Sequence, residues 1–162
     1  MASRSDASSP LPWPPMIYGL AALAAALLTY AVPFALSDSL PALAARNPRV
    51  IAGAVLIAAG GALLLGAAGL FKKAGTPIPP NQPTTAIVTA GLYRYTRNPM
   101  YLGMTAIMLG LALAADSVWF VVTLLGALIA VTKFAIEREE AYLERKFGAD
   151  YLRYKTRVRR WL

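Results

Sequence analysis

The sequence contains no cysteine and no histidine. Without cysteine, disulfide bonds and thiolate metal sites are excluded. Without histidine, the chain lacks the most frequent general base and the most frequent metal ligand. Charged residues are also scarce, at 15% of the chain, against about 25% in soluble domains. Any chemistry must therefore use carboxylates, tyrosines, arginines, backbone groups or a cofactor, and we expect no metal site.

Apolar residues are abundant, at 57% of the chain, and they fall in long uncharged blocks. Blocks of about 20 apolar residues are long enough to cross a bilayer as helices. The pattern predicts an all-α integral membrane protein with four transmembrane helices and a C-terminal amphipathic helix. A flexible leader over 1–15 precedes a single membrane domain over 16–162. The predicted spans are residues 16–37, 50–71, 99–115 and 118–136.

Small residues recur every fourth position in the second predicted span. Ala54, Ala58, Ala62 and Gly66 form a smooth stripe on one helix face. Such stripes allow helix backbones to approach closely in lipid. We expect this stripe to pack within the bundle, with a dimer interface as the alternative.

Basic residues are distributed unevenly between the predicted sides of the membrane. The leader holds one, the 72–98 loop four and the segment from Lys133 onward nine, whereas the 38–49 connection holds two. Because cytoplasmic loops are enriched in lysine and arginine, both termini, the 72–98 loop and the 137–162 tail are predicted to be cytoplasmic. The expected location is an inner or plasma membrane, crossed several times. The basic, aromatic tail suits an anionic membrane surface rather than nucleic acid.

A polar loop turns into an apolar helix at Asn98 and Pro99. Asparagine is a good N-cap, and proline fits the first helical position. The positive end of the helix dipole would then point back toward Arg94 and Arg97, which favours a bound carboxylate or phosphate. Asn98–Pro99 alone is also an ordinary helix start.

A second polar cluster, at 137–140, follows the last apolar block. If both clusters lie at one membrane face, they surround one ligand. Carboxylates attract an ammonium or accept hydrogen bonds from ribose hydroxyls, and tyrosine rings can face an adenine or a sulfonium. S-adenosylmethionine carries all of these groups, although composition alone does not single it out from other cytosolic nucleotides. Alternatively, Glu139 and Glu140 form a solvated helix face.

The run from Gly91 to Gly103 (GLYRYTRNPMYLG), together with Glu139, Glu140 and Tyr151, resembles the isoprenylcysteine carboxyl methyltransferase family. That family is related to membrane phospholipid N-methyltransferases. The resemblance covers roughly the last half of the chain. It implies an integral membrane enzyme that binds S-adenosylmethionine at the cytoplasmic side and takes a lipidic acceptor from the bilayer.

The resemblance also implies a set of cofactor contacts, which is carried over residue by residue. The eukaryotic carboxyl methyltransferases usually have histidine where this chain has Asn98, which can form hydrogen bonds but cannot act as a base. The implied cofactor-binding residues are Tyr93, Arg97, Asn98, Pro99, Tyr101, Glu139 and Glu140.

Methyl transfer from a sulfonium needs little acid–base assistance, so we assign no general base. Catalysis would come mainly from alignment of the reactants away from water. By charge and location, Arg94, Arg153 and Arg157 are candidates for positioning a carboxylate substrate.

Four functions stay open from the sequence. The first is methylation of a lipidic acceptor such as an isoprenylcysteine-like carboxylate. The second is phospholipid N-methylation, and the third is a nicotinamide-dependent membrane reductase. The fourth is a non-enzymatic four-span protein. Transporters usually carry an ionisable residue within a span, and no predicted span has one at its middle. The sequence leaves the oligomeric state open.

Overall fold

In the computed structural model of the protein, the described residues are 14–40, 45–78 and 84–162. Most of the predicted leader and part of the 72–98 loop therefore lie outside the described residues. Within these three ranges every regular element is helical, as predicted. The helices are α1 (Pro14–Ala31), α2 (Leu36–Ser39), α3 (Arg46–Lys73), α4 (Pro99–Ala115), α5 (Val118–Val131), α6 (Glu137–Phe147) and α7 (Ala149–Arg157).

Three helical stretches in the described part of the chain are long and apolar enough to cross a membrane: Pro14–Ala31, Arg46–Lys73 and Val118–Phe147. The predicted span at 99–115 coincides with α4, but its 17 residues make it a shorter apolar helix, so four spans are not established. The first predicted span ran too far, because α1 ends at Ala31 and Pro33 follows the helix. Proline lacks an amide hydrogen and ends a helix readily.

The central contact of the fold is an antiparallel pairing of α3 with α4 through glycines. A Cβ added at Gly53 would lie 2.7 Å from the carbonyl oxygen of Gly110, and one at Gly60 would lie 2.5 Å from that of Gly103. Both distances are too short for a real Cβ contact. Glycine therefore allows these two backbones to touch along nearly the whole of α4.

The small-residue stripe at Ala54, Ala58, Ala62 and Gly66 faces outward, so the prediction that it packs within the bundle is wrong. The buried face of α3 is instead marked by Gly53, Gly60 and Ala67, seven residues apart. A spacing of seven follows two turns of the helix and keeps one side toward a neighbour. The outward stripe leaves the dimer alternative open.

Helix α1 runs parallel to α4 and packs on α5. The hydroxyl of Tyr18 lies 3.0 Å from that of Thr105 near the start of α4, and Thr29 Oγ1 lies 2.5 Å from Ser117 Oγ beyond its end. The bundle therefore has one end where α3 finishes, α4 begins and α5 passes into α6. Nearly all of the polar residues discussed below lie at this end, called here the polar end.

Three short structures shape the polar end. A 3₁₀ turn at Gly91–Arg94 precedes α4. A π-helical turn at Thr132–Ile136 joins α5 to α6; such turns change which residues face inward and are frequent at functional sites. Gly148, with a φ of 52°, ends α6 and allows the chain to reverse into α7. The sequence analysis predicted neither α7 nor the π turn.

Candidate active site

The start of α4 confirms part of the prediction for Asn98 and Pro99 and corrects the rest. Pro99 occupies the first turn of α4 and is fully buried. Asn98 stands at the N-cap position, but its side chain caps no helical amide. Instead, Asn98 Nδ2 donates to the carbonyl oxygen of Arg160 at 2.9 Å. The side chain is therefore used to bind a distant segment of the chain.

That segment, residues 158–161, folds back over the Arg97–Asn98 turn and is called here the clasp. The backbone amide of Arg97 donates to the carbonyl oxygen of Arg159 at 2.9 Å. Thr96 Oγ1 donates to the carbonyl oxygen of Arg160 at 3.1 Å. Trp161 packs against the hydrophobic core. These bonds fix the position of the clasp relative to the start of α4.

Glu140 is a buried carboxylate surrounded by three cationic side chains. It is 6% exposed, and Arg97 Nη2 lies 3.2 Å from its Oε1. Arg160 holds both carboxylate oxygens, with Nε 3.0 Å from Oε1 and Nη2 2.9 Å from Oε2. Lys155 Nζ is more distant, at 3.8 Å. The turn that contains Arg97 and the carboxylate pair Glu139 and Glu140 therefore lie at the same end of the bundle, as predicted.

Arg97 is held by Glu140 through only one of its three nitrogens. Its side chain is 9% exposed, and its Nε and Nη1 are buried without a hydrogen-bond partner among the described residues. A buried donor without a partner is costly, more so when it is charged. The geometry therefore favours an anionic ligand at Arg97, and a carboxylate matches a guanidinium well.

Glu139 is the second carboxylate of the pair, and its surroundings differ from those of Glu140. It forms no ion pair with any described residue. Tyr101 Oη donates to its Oε2 at 3.5 Å, at the outer limit of a hydrogen bond. A carboxylate that forms no ion pair can accept a positively charged group.

Two clefts meet at these side chains. The first, of about 530 Å³ with its open mouth, lies between the 84–88 loop, α6 and α7. The second, of about 710 Å³ with its open mouth, lies between α3, α4 and the start of α1. The first is called here the polar cleft and the second the apolar cleft. Five residues line both clefts and form a shared wall: Phe71, Tyr93, Arg97, Asn98 and Glu139.

A comparison with protein families now adds to this geometry. The sequence model of the phospholipid methyltransferase family matches residues 48–150, which is more than half of the chain. The chain belongs to the phospholipid methyltransferase family. Membership, together with the three long apolar helices, supports methyltransferase activity in a membrane protein. The matched residues include the shared wall but end before Arg160.

Two individual relatives of this family member can be named. An uncharacterized protein of Haemophilus influenzae is 45% identical over 65 residues, which is 39% of this chain and all of that protein. Protein-S-isoprenylcysteine O-methyltransferase of Schizosaccharomyces pombe is 39% identical over 74 residues, or 44% of this chain. That match spans 30% of the yeast protein. The second similarity agrees with the resemblance seen in the sequence. No solved structure matches.

Most of the implied cofactor residues lie together in this family member. Tyr93, Arg97, Asn98 and Glu139 line both clefts, Glu140 the polar cleft and Tyr101 the apolar cleft. Pro99 lines neither cleft and is buried beneath the turn.

The three arginines suggested for substrate positioning lie elsewhere. Arg94, Arg153 and Arg157 are exposed and line neither of the two clefts. Arg153 forms an exposed ion pair with Asp150. Their role in substrate positioning stays a prediction.

Two tyrosines of α7, Tyr151 and Tyr154, line the polar cleft and were not assigned a role from the sequence. Tyr154 Oη donates to the carbonyl oxygen of Tyr93 at 2.8 Å. Burial raises the pKa of Tyr154 to about 12, although the positive charge of Arg97 acts in the opposite direction. Burial, with a contribution from the charge of Glu140, also raises the pKa of Tyr151. Both phenols are thus neutral donors at physiological pH.

Proposed function

We propose that the protein is a membrane methyltransferase that uses S-adenosylmethionine and methylates an apolar, lipidic acceptor. The observation that carries the proposal is the shared wall, which contains both Glu139 and Arg97, whose Nε and Nη1 have no partner among the described residues. One buried cationic group and one carboxylate without an ion pair fit the two charges of an amino-acid end. The membership of a methyltransferase family supports the same conclusion.

The residues of the polar cleft fit this cofactor. Arg97 would bind its carboxylate, because the guanidinium has free N–H donors. Glu139 would bind its ammonium, and Tyr93 would offer an aromatic face to the adenine or the sulfonium. Tyr101 lines only the apolar cleft and would face the sulfonium from the acceptor side. Asn98 would complete the polar contacts. When bound, the cofactor would supply a methyl group activated by a positively charged sulfur.

Glu140 and Pro99 would contribute to cofactor binding indirectly. Glu140 holds Arg97 in place by the 3.2 Å ion pair. Pro99 is buried at the start of α4 and fixes the backbone that carries Arg97 and Asn98. The fixed φ of proline limits the freedom of that turn.

The apolar cleft is the proposed place of the acceptor. Leu64, Ile78, Met100 and Met104 line it, and it ends at the wall that it shares with the polar cleft. An acceptor that lies in this cleft reaches Arg97 and Glu139 from the side opposite to the cofactor. The chain would then act by holding two reactants in line and keeping water away from them.

The chemical class of the acceptor has two candidates. A carboxylate on an isoprenylcysteine-like lipid is suggested by the name of the Schizosaccharomyces pombe relative. A phospholipid amine is suggested by the family description, and Glu139 in the wall of the apolar cleft favours a positively charged or amine group there. Arg94, Arg153 and Arg157 are proposed to contribute only if a carboxylate acceptor approaches from the water side.

Binding of S-adenosylhomocysteine to the purified protein, measured by isothermal titration, tests the proposal. We expect the wild-type protein to bind it and Arg97→Ala to bind it about 10- to 100-fold more weakly, since a hydrogen-bonded charge pair contributes about 1.5–3 kcal/mol. Arg145→Ala, at an exposed position of α6, is the matched control and should bind like the wild type.

The same titration with NADPH separates the alternatives. Binding of NADPH without binding of S-adenosylhomocysteine would indicate a reductase. Binding of neither compound would indicate a non-enzymatic membrane protein. Wild-type affinity in Arg97→Ala would reject the proposed role of the guanidinium while leaving the cofactor in place.

A further inference from the structure

We infer that Arg160 is a positioning residue that keeps the guanidinium of Arg97 available for an anionic ligand, by occupying Glu140 in its place. The inference rests on the proposed function, because it concerns the same ligand site. Arg160 is not part of the family match, which ends at residue 150.

The argument begins with the number of bonds that Glu140 makes. Arg160 takes both of its oxygens, at 3.0 and 2.9 Å. Arg97 reaches only Oε1, through Nη2, at 3.2 Å. Arginine and a carboxylate pair best through two parallel N–H···O bonds. Arg160 has that preferred arrangement, so Arg97 is left with the weaker, single contact.

Without the Arg160 side chain, Oε2 of Glu140 would be open to a second nitrogen of Arg97. Arg97 and Glu140 are both more than nine-tenths buried, so little solvent would compete with a two-bond pair between them. One of the two nitrogens that now have no partner among the described residues, Nε or Nη1, would then bind Glu140 and would no longer be available to a ligand carboxylate. Lys155 lies 3.8 Å from Glu140 and is a weaker substitute for Arg160.

The backbone holds Arg160 where this arrangement requires it. The carbonyl oxygen of Arg160 accepts hydrogen bonds from Thr96 Oγ1 and Asn98 Nδ2, at 3.1 and 2.9 Å. A side-chain substitution at 160 keeps these two bonds. The effect of the guanidinium can therefore be separated from that of the clasp as a whole.

The test compares Arg160→Gln with Arg145→Gln, which changes an exposed arginine of α6, by titration of the 162-residue protein. The probes are S-adenosylhomocysteine, which has a carboxylate, and methylthioadenosine, which lacks the amino-acid end. We expect Arg160→Gln to weaken binding of the first about tenfold, as for one charged hydrogen bond, and to leave the second unchanged. Arg145→Gln should change neither.

The double variant Arg160→Gln/Glu140→Gln gives a readout that a merely structural role would not move. Removal of the competing carboxylate should free Arg97 again, so the double variant should bind S-adenosylhomocysteine more tightly than Arg160→Gln alone. If Arg160 only stabilised the fold, the two substitutions would weaken binding additively. Additive losses, or an equal loss for both probes, would overturn the inference.

Two further outcomes are distinguishable. If the wild type binds S-adenosylhomocysteine and Arg160→Gln binds it equally well, this inference fails and the proposed function stands. If the wild type does not bind it, both fail. Should glutamine at 160 prevent folding, Arg160→Lys keeps the charge but not the two-bond geometry, and it is expected to show an intermediate loss specific to the carboxylate probe.

Discussion

Three consecutive residues at the start of α4 have three different tasks. Arg97 lines both clefts, and two of its guanidinium nitrogens are buried without a partner among the described residues. Asn98 binds the clasp through its side chain, and Pro99 is buried as the first residue of the helix. A substitution in this turn therefore affects ligand affinity, attachment of the clasp or helix geometry, depending on which residue is changed.

Tyr154→Phe should lower stability by about 1 kcal/mol, because the hydrogen bond from its hydroxyl to the carbonyl oxygen of Tyr93 is lost. The variant should also change how the stability of the protein depends on pH in the alkaline range. The pKa of Tyr154 is raised to about 12 in the folded state, above the value of about 10 in an unfolded chain. Its contribution is therefore complete below pH 10 and is lost as the pH rises from 10 to 12.

Thermal unfolding of the detergent-solubilised protein at several pH values between 8 and 12 would measure this effect. Tyr154→Phe should lose stability less steeply above pH 10 than the wild type does. Tyr95→Phe, at a ring that is 75% exposed, is the control and should follow the wild type. Parallel curves for Tyr154→Phe and the wild type would contradict the assignment.

At the residue scale, sequence reasoning predicted that the turn at Arg97 meets the Glu139–Glu140 pair, but it did not predict the contact of Arg160 with Glu140. The start of α4 has a local signature, since helix starts favour particular residues. The contact between Arg160 and Glu140 has no such signature, because it joins residues on opposite sides of the reversal at Gly148. One positive φ, at Gly148, sets the direction of the chain over the twelve residues that lead to Arg160.

Among the helices, the pairing of α3 with α4 depends on glycines whose backbones touch. Gly60 and Gly103 approach so closely that a methyl group has no space between them. This contact lies close to the polar end, since Phe71 at the end of α3 and Asn98 before α4 both line the clefts. The spacing of the two helices therefore helps to set the width of the site.

Gly60→Ala should destabilise the protein by about 1–3 kcal/mol, the usual cost of overpacking a close contact. Gly61→Ala is an unusually well-matched control, because nothing lies within 4 Å of a Cβ added there. Alanine at 61 should be neutral or stabilising, since it favours the helix over glycine.

Thermal unfolding in detergent compares the two variants directly. Equal melting temperatures for Gly60→Ala and Gly61→Ala would show that α3 and α4 are not in contact at this point.

Helix positions followed well from the apolar blocks, whereas helix faces did not. The block at 99–115 matches α4 at both ends. The stripe of four small residues on α3 led to a wrong prediction of its buried face. Alanine is accepted both toward lipid and toward a neighbouring helix, so small size alone does not indicate which face turns inward. The π turn at Thr132–Ile136 was missed for a related reason: its residues are ordinary helix residues with no breaker among them.

Over the described residues, the candidate site lies at the polar end of the bundle. Arg97, Glu139 and Glu140 lie at the polar end, while Asp38 lies near the far end of α4, where Asp116 contacts Ser37. The 17 residues of α4 separate these ends by about 25 Å. The excess of basic residues at the polar end predicts that this end faces the cytoplasm.

The absence of native cysteine makes this orientation directly measurable. We expect Asp38→Cys to react with a membrane-impermeant maleimide in spheroplasts. Arg145→Cys, on α6, should react only after the membrane is opened. Both positions are exposed, so access across the membrane is the main difference between them. The unsubstituted protein is the control and should not react; labelling of Arg145→Cys in sealed spheroplasts would reverse the predicted orientation.

The shared wall has a kinetic consequence for the proposed reaction. Arg97 and Glu139 line both clefts, so donor and acceptor would meet at the same side chains and the methyl group would pass directly between them. Turnover would then require that donor and acceptor are bound at the same time. Double-reciprocal plots of initial rate against donor concentration, at several acceptor concentrations, would intersect rather than run parallel. The demethylated cofactor would leave through the polar cleft into water, and the methylated acceptor would leave through the apolar cleft into lipid. Neither product would have to pass the other.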